Sequence, residues 1–476
     1  MLSFANKVSS VLDVTRLRGD RGQLPLATVQ SLENNLRGTL LTSVDQAYDE
    51  ARRVWNGMVD KRPAMIARCR DTADVVTCVN FAREHDLSLA VRGGGHNYAG
   101  KAICDGGLVI DLSPMKGIEI DAQNGTATAE AGLRLGEFDR ATQEFGLATT
   151  LGINTDTGIS GLTLGGGYGW LAGKYGLACD NLISADIVTS DGRTCHCDEE
   201  QFADLFWGLR GAGANFGIVT QFQFRLHGVT DVMGGVAIYS LAEDTLHFFD
   251  EFSASAPDEL TTVGVVLNGP GDRPAFAMGI CHCGSPDQWE KDLKPLRAFG
   301  TPLADSIRAQ PYLDMQMIFD SAWPPGRIYY NKAHNIRSLS AGAIQTILRY
   351  SGTLPTPFSN IALQQLHGAA ARVPADATAF PHRYQHFDLL VHPASDDPVD
   401  STRMISWARE CWTELQEFAE RAVYVNALED ALEEGERRVR EAYGTNYERL
   451  LTLKRKYDPR NLFRLNSNIN PAAIGP

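Results

Sequence analysis

Two glycine-rich stretches constrain this chain more than anything else in it. One is "RGGGHNYAG", Arg92 to Gly100; the other is "GINTDTGISGLTLGGGYGWLAGKYG", Gly152 to Gly176. Glycine loses more conformational freedom on folding than any other residue. So many in two short loops imply that the backbone itself must come close to something. Successive backbone N–H groups in such a loop can cradle a phosphate without a positive side chain. That suits a chain of net charge −14, with 44 Lys and Arg against 58 Asp and Glu. The first loop ends on His96, whose neutral ring is a competent nucleophile near neutral pH.

The loops exclude two nucleotide-binding patterns. A dinucleotide fingerprint needs G-x-G-x-x-G opening a helix, with an acidic residue some 20 positions on; "RGGGHNYAG" does not fit. No G-x-x-x-x-G-K-[ST] occurs either. The acidic balance argues against a nucleic-acid partner or an anionic membrane surface. No apolar run reaches the ~20 residues of a membrane helix. The N-terminus lacks a continuous apolar h-region, so a cytoplasmic protein, monomer or homodimer, is expected. Nine scattered cysteines make poor disulfide arithmetic. Cys195-His196-Cys197 and Cys281-His282-Cys283 resemble metal clips, but on a strand the histidine points away from its cysteines. Buried thiols are expected there, and no metal site.

The organisation reads as α+β. Residues 1–39 form a lead-in, and the first ~60 residues look helical, including "DQAYDEARRVWNG" (Asp45 to Gly57). Asp71 is a candidate N-cap for a helix with Val75, Val79 and Ala82 on one face. "LSLAV" is a strand feeding the first glycine loop. Residues 229–429 carry long alternating strands with amphipathic helices between them, which predicts an antiparallel sheet with helices on one face. Residues 430–476 become helical again and end in "YDPRNLFRLNSNINP". The expected domains are therefore 40–228 and 229–429, with 430–476 returning to the first.

"RGGGHNYAG", "GLTLGGGYGWL", "YGLACDNLISADIVTSDGR", "LFWGLRGAGANFGIVT" and "YDPRNLFRLNSNINP" together resemble the vanillyl-alcohol-oxidase superfamily of FAD enzymes. Within it they are most similar to the berberine-bridge-enzyme-like branch and its bacterial 6-hydroxynicotine-oxidase relatives. The resemblance runs from about Asp45 to Pro471. It implies a two-part FAD-binding domain and covalent attachment of FAD through His96. It implies that Arg92, Gly93, Gly94, Gly95 and Asn97 hold the pyrophosphate, and that Thr157, Gly158, Gly161 and Gly166 lie over it and the flavin. Ile218 and Val219 match a segment near the adenine half, and Asn466 and Asn468 a tail that returns to the flavin. Many relatives attach the flavin a second time through a cysteine. That position is Asn154 here, and Cys179 does not match it, so a single attachment is expected. Related oxidases place a small gatekeeping residue near the ring to admit oxygen, and the resemblance puts Thr157 in that area, which leans toward an oxidase using O2 over a dehydrogenase.

The family's usual base is a tyrosine directly after an asparagine; here it is Ala427. Other groups must supply chemistry to a small organic substrate: an amine, alcohol, sugar or phenol. On an extended strand Tyr424 and Asn426 share a face. Gln365 shares one with His367, and His382, Tyr330 and Lys332 are further candidates. Two alternatives stand beside the oxidase: a flavin dehydrogenase with another acceptor, and a flavin-binding protein that has lost catalysis.

Overall fold

The computed structural model describes residues 10–269, 271, 273–429 and 431–473; the first nine residues of the lead-in and the last three of the tail lie outside them. The lead-in differs from its expected helical form. It opens with a hairpin in which Val11–Thr15 pairs with Arg21–Pro25, and only then forms the helix Leu26–Asn34. Gly19, at φ +92, makes the turn. "DQAYDEARRVWNG" is helical only over Tyr48–Ala51. Tertiary contacts override the periodicity there: Trp55 N–H donates to Gly95 O at 3.1 Å, and the Trp55 ring lies flat on Tyr329.

Two sheets carry the first glycine-rich half. Strands Thr39–Leu41, Met65–Arg68, Leu108–Asp111 and Leu89–Arg92 lie side by side in that order, the last three parallel. Helix Thr72–Glu84 leads into Leu89–Arg92; Asp71 caps it by accepting from Asp74 N–H, and Asp86 breaks the chain at φ +53. The second sheet has five antiparallel strands in the order Thr194–Cys197, Leu182–Thr189, Gly217–Arg225, Thr126–Glu130 and Ile118–Asp121. One continuous apolar core joins both sheets to the C-terminal helices.

The middle of the chain is an antiparallel sheet. Its main path runs Ala304–Asp305, Asp231–Ser240, Pro274–His282, Leu260–Asn268, Asn360–Leu366, His386–His392, Lys332–Ile336. Helices Glu243–Ala254, Ala341–Ser351 and Ser401–Leu415 cover one face, where Phe387, Leu389 and Val391 meet Phe249, Ile344 and Trp407. The opposite face is also buried: Val263, Ala277 and Ala362 pack with Trp170, Tyr312 and Phe319. The central strands of this sheet therefore have an interior on each face, and alternation alone does not say which interior a residue meets.

The tail is pinned by a fully buried charge. Lys454 Nζ donates at 2.8 Å to Asn215 O, Phe463 O and Asp458 Oδ2. Asp458 also accepts from Leu462 and Phe463 N–H. Both side chains are wholly shielded from water, so each charge needs the other. Lys454→Met is expected to lower stability by about 3–5 kcal/mol, because Asp458 then stays buried without its partner. Urea denaturation followed by tryptophan fluorescence checks this.

Candidate active site

Strand Leu89–Arg92 delivers the first glycine loop against the second. Gly94 and Gly158 touch backbone to backbone: a Cβ on either would lie 2.3 Å from the other's nitrogen. No side chain fits between the two loops at that point. Gly95 has φ +71, a conformation glycine alone adopts freely. The loops open into a cavity of about 340 Å³. Gly93, Gly94, Gly95, His96, Asn97, Thr157, Gly158 and Gly161 line it, together with Asn154. The opposite wall is the large sheet, through Val263, Ala362, Gln364, Asp388, Leu390 and His392. Leu465, Asn466 and Ser467 of the tail close a further side.

His96 is held by stacking. Its ring lies 4.1 Å from that of Trp55 at 23°, and Trp55 lies 3.9 Å from Tyr329 at 7°. Its Nε2 is buried and has no hydrogen-bond partner. Burial, then the charge of Arg134, pushes the ring's pKa down to about 3. The imidazole is therefore neutral with a lone pair free, the form that attacks carbon. Asn466 donates to Ala214 O at 2.7 Å and Phe463 O at 3.0 Å, while its Oδ1 is left unpaired. A glycine cradle that a Cβ would fill, an orphaned ring nitrogen and an orphaned amide oxygen on one cavity fit a large, phosphate-bearing, planar cofactor.

Several expected cofactor contacts do not reach the cavity. Arg92 Nη1 turns back to Ala51 O. Gly166, at φ +123, passes under the Phe380 ring, which a Cβ would meet at 2.9 Å. Ile218 and Val219 are core residues of strand Gly217–Arg225, paired with Val188 and Ile187. Asn468 has a buried, unpaired Oδ1 but is not on the cavity wall, where Ser467 stands instead.

The catalytic candidates divide in the same way. Tyr424 and Asn426 both line the cavity. They sit on a single tight turn, Val425–Ala427, rather than on a strand. Asn426 Nδ2 donates to Tyr424 OH at 2.8 Å and to the carbonyls of Gly161 and Leu162 at 3.2 Å. Tyr424 OH also accepts from Gly167 N–H at 3.0 Å, and its ring stacks on Tyr168 at 4.4 Å. The pair thus straps the C-terminal segment onto the glycine loop.

Gln365 and His382 lie away from the cavity. Gln365 faces the helix layer, accepting from Thr262 and donating to Ser253 O. His367 bonds Pro257 O, Tyr330 sits in the helix-side core, and Lys332 lies over Tyr330 and Trp412. His382 is buried beside Phe380 and Tyr384. It is Gln364, one residue earlier, that points at the cavity, because both faces of that strand are interior and the phase was open.

The residue that sequence reasoning missed is Asp388. It is 1% exposed, its Oδ1 has no hydrogen-bond partner, and it lies directly across from Gln364 on one neighbouring strand and Asn335 on the other. Burial raises its pKa to about 8. The available signal was a single carboxylate in the apolar strand "HFDLLVH", on the same face as His392.

A sequence profile described as the FAD binding domain matches residues 63–198, and one described as berberine and berberine like matches 423–470. The protein is an FAD-dependent oxidoreductase. An FAD-linked oxidoreductase of Dictyostelium discoideum is 32% identical, over 92% of this chain and 95% of that one. The (R)-6-hydroxynicotine oxidase of Paenarthrobacter nicotinovorans is 29% identical over 92% and 97%. The crystal structure of 6-hydroxy-D-nicotine oxidase from Arthrobacter nicotinovorans matches with a TM-score of 0.82 at 28% identity, covering 92% of this chain and 98% of that one. This chain belongs to the berberine-bridge-enzyme-like family of FAD-linked oxidoreductases.

Two substitutions test the cradle. Gly158→Ala is expected to abolish the yellow flavin absorbance of the purified protein, since its Cβ collides with Gly94. Gly228→Ala, on the short strand His227–Gly228 off the cavity wall, whose Cβ meets nothing within 4 Å, is expected to retain it. A third concerns Asp388. The folded chain holds its proton until about pH 8, while an unfolded carboxyl releases it near pH 4, so the contribution to stability falls as pH rises between them. Asp388→Asn should melt above the wild type at pH 8 and lose that advantage toward pH 4, as thermal scans across this range would show.

Proposed function

We propose that this protein is an oxidase carrying FAD attached once, through His96, that takes hydride from a small organic substrate and passes the electrons to O2, giving peroxide. The observation that carries the reading is His96 itself. It has a neutral ring and a buried nitrogen without a partner, on the wall of a cavity built by two glycine loops. FAD supplies hydride acceptance from carbon. The chain's residues do the rest. Gly93 to Gly95 and Gly158 offer backbone at the cradle, Trp55 fixes the plane of the His96 ring, and the Tyr424–Asn426 strap holds the second loop in place. Asn154 cannot form the thioether bond that a cysteine would form there. Thr157 on the wall supports access for O2. An active cavity is favoured over an inactive one because Asp388 keeps a titratable carboxyl there although Ala427 offers none.

Trypsin cuts after Arg92 and Lys101, so the attachment is read on one peptide, Gly93 to Lys101. Mass spectrometry should find FAD on that peptide and none on Tyr175 to Arg193, which contains Cys179. The acid-precipitated protein should stay yellow, and His96→Ala should release its flavin to the supernatant. Free FAD from the wild type would refute attachment. Peroxide formation in air during turnover checks the acceptor; slow reoxidation without peroxide would point to a dehydrogenase.

A further inference from the structure

Asp388 is the most costly feature of the cavity. A carboxyl 1% exposed, with an unpaired Oδ1, is disfavoured unless something arrives to meet it. Lys101, which also lines the cavity, turns its Nζ to Ser467 Oγ at 3.2 Å and Leu428 O at 3.4 Å. His96 and His392, on the same walls, are held neutral by burial. The cavity also presents aromatic and aliphatic surfaces. Tyr168 and Tyr424 present a stacked pair, Trp323 stacks on His392, and Val263, Ala362 and Leu390 line the same wall as Asp388. A sugar would need many hydrogen-bond donors and acceptors on that wall, and the sheet offers Gln364, His392 and Asp388. A buried carboxyl among aromatic faces is instead complementary to an organic cation.

We propose that the substrate is an arylalkylamine entering as an ammonium ion, and that Asp388 receives its nitrogen and its proton. The inference rests on the flavin oxidase reading and names the substrate class for that site. An ammonium cannot lose hydride from its α-carbon, because no lone pair is available to form the C=N bond. In the first step, therefore, the substrate ammonium gives one N–H proton to the Asp388 carboxylate, leaving the neutral amine and the Asp388 acid. Breaking of the α C–H bond would then release both its electrons as hydride, for which FAD would supply the acceptor. The nitrogen lone pair forms the C=N bond, and a protonated iminium remains. Water would convert that iminium to a carbonyl compound and ammonium after release, and the two electrons, with the hydride's proton and the one held by Asp388, would pass to O2 as hydrogen peroxide.

The groups facing Asp388 leave its titration isolated. On its own strand His386 and His392 are held near 3 by burial. Gln364 and Asn335, its cross-strand neighbours, do not titrate. Tyr98, Tyr168 and Tyr424 are all raised by burial, with the Asp388 charge adding to it. Between about pH 5 and pH 10 Asp388 is the group of this set that changes charge.

The test uses the full-length, flavin-loaded protein and calorimetry with three probes. Benzyltrimethylammonium carries the charge but has no proton to give; benzyl alcohol and cellobiose are neutral. The ammonium probe should bind, with Kd falling more than about tenfold from pH 6 to pH 9 as Asp388 ionises. Asp388→Asn should remove that pH dependence and weaken the probe about tenfold or more at pH 9, with benzyl alcohol changed less than about threefold. Asp388→Glu should restore part of the loss. Benzylamine should bleach the wild-type flavin without air and fail to do so with Asp388→Asn, whose retained yellow colour shows that it folds and loads. Yellow protein that binds cellobiose or benzyl alcohol more tightly than the ammonium at pH 9, or an Asp388→Asn variant that binds the ammonium as the wild type does, would overturn this inference alone. A colourless wild type would overturn the flavin reading and this inference with it.

Discussion

The structure turns on one contact, Gly94 against Gly158, where two loops from distant parts of the chain meet with no side chain between them. Backbone can approach backbone that closely only where neither residue has a Cβ. From that contact the rest of the site takes its position. Strand Leu89–Arg92 behind Gly93 fixes where His96 emerges, and Trp55 clamps its ring from the far side through the Gly95 carbonyl and the Tyr329 stack. On the other loop, Asn426 fills the space that a side chain on Gly165 would need. The glycines thus let four separate segments converge on the cavity.

The large sheet contributes the opposite wall, and its architecture explains why that wall can be specialised. Its helix-covered face is a continuous apolar core that supplies stability. Its other face also packs against the glycine-rich half, yet opens at the cavity. Polar residues there are carried at a cost that the core behind them sustains. Asp388 is the clearest case, since the carboxyl is desolvated by the same packing that holds the sheet together. An active site that keeps such a group gives up stability for chemistry.

Much of the fold and half of the site were legible in the sequence. Asp71 as a cap and the alternating middle segment follow from local rules, and they appear where those rules put them. The glycine loops and His96 were legible because backbone needs are written directly as residue type. Reading failed where tertiary contact overrode periodicity, as at Asp45 to Gly57, where Trp55 leaves the helix to hold His96. It also failed where a strand has two buried faces: Gln365 and Gln364 are indistinguishable until one knows which interior is the cavity. Ile218, Val219 and Gly166 match motifs but stand in packed positions off the cavity wall.

The sequence by itself therefore determined the cofactor half of this protein. Glycine at a position of close approach leaves no alternative residue, and a histidine at the end of such a loop is placed by chain connectivity. Only the tertiary structure decided the substrate half. Asp388, Gln364 and His392 come from strands that are adjacent through pairing and not through sequence, and Tyr424 reaches the glycine loop across 257 residues of chain. Their chemistry comes from burial and the absence of a partner, and neither property belongs to a residue until the rest of the chain has packed around it.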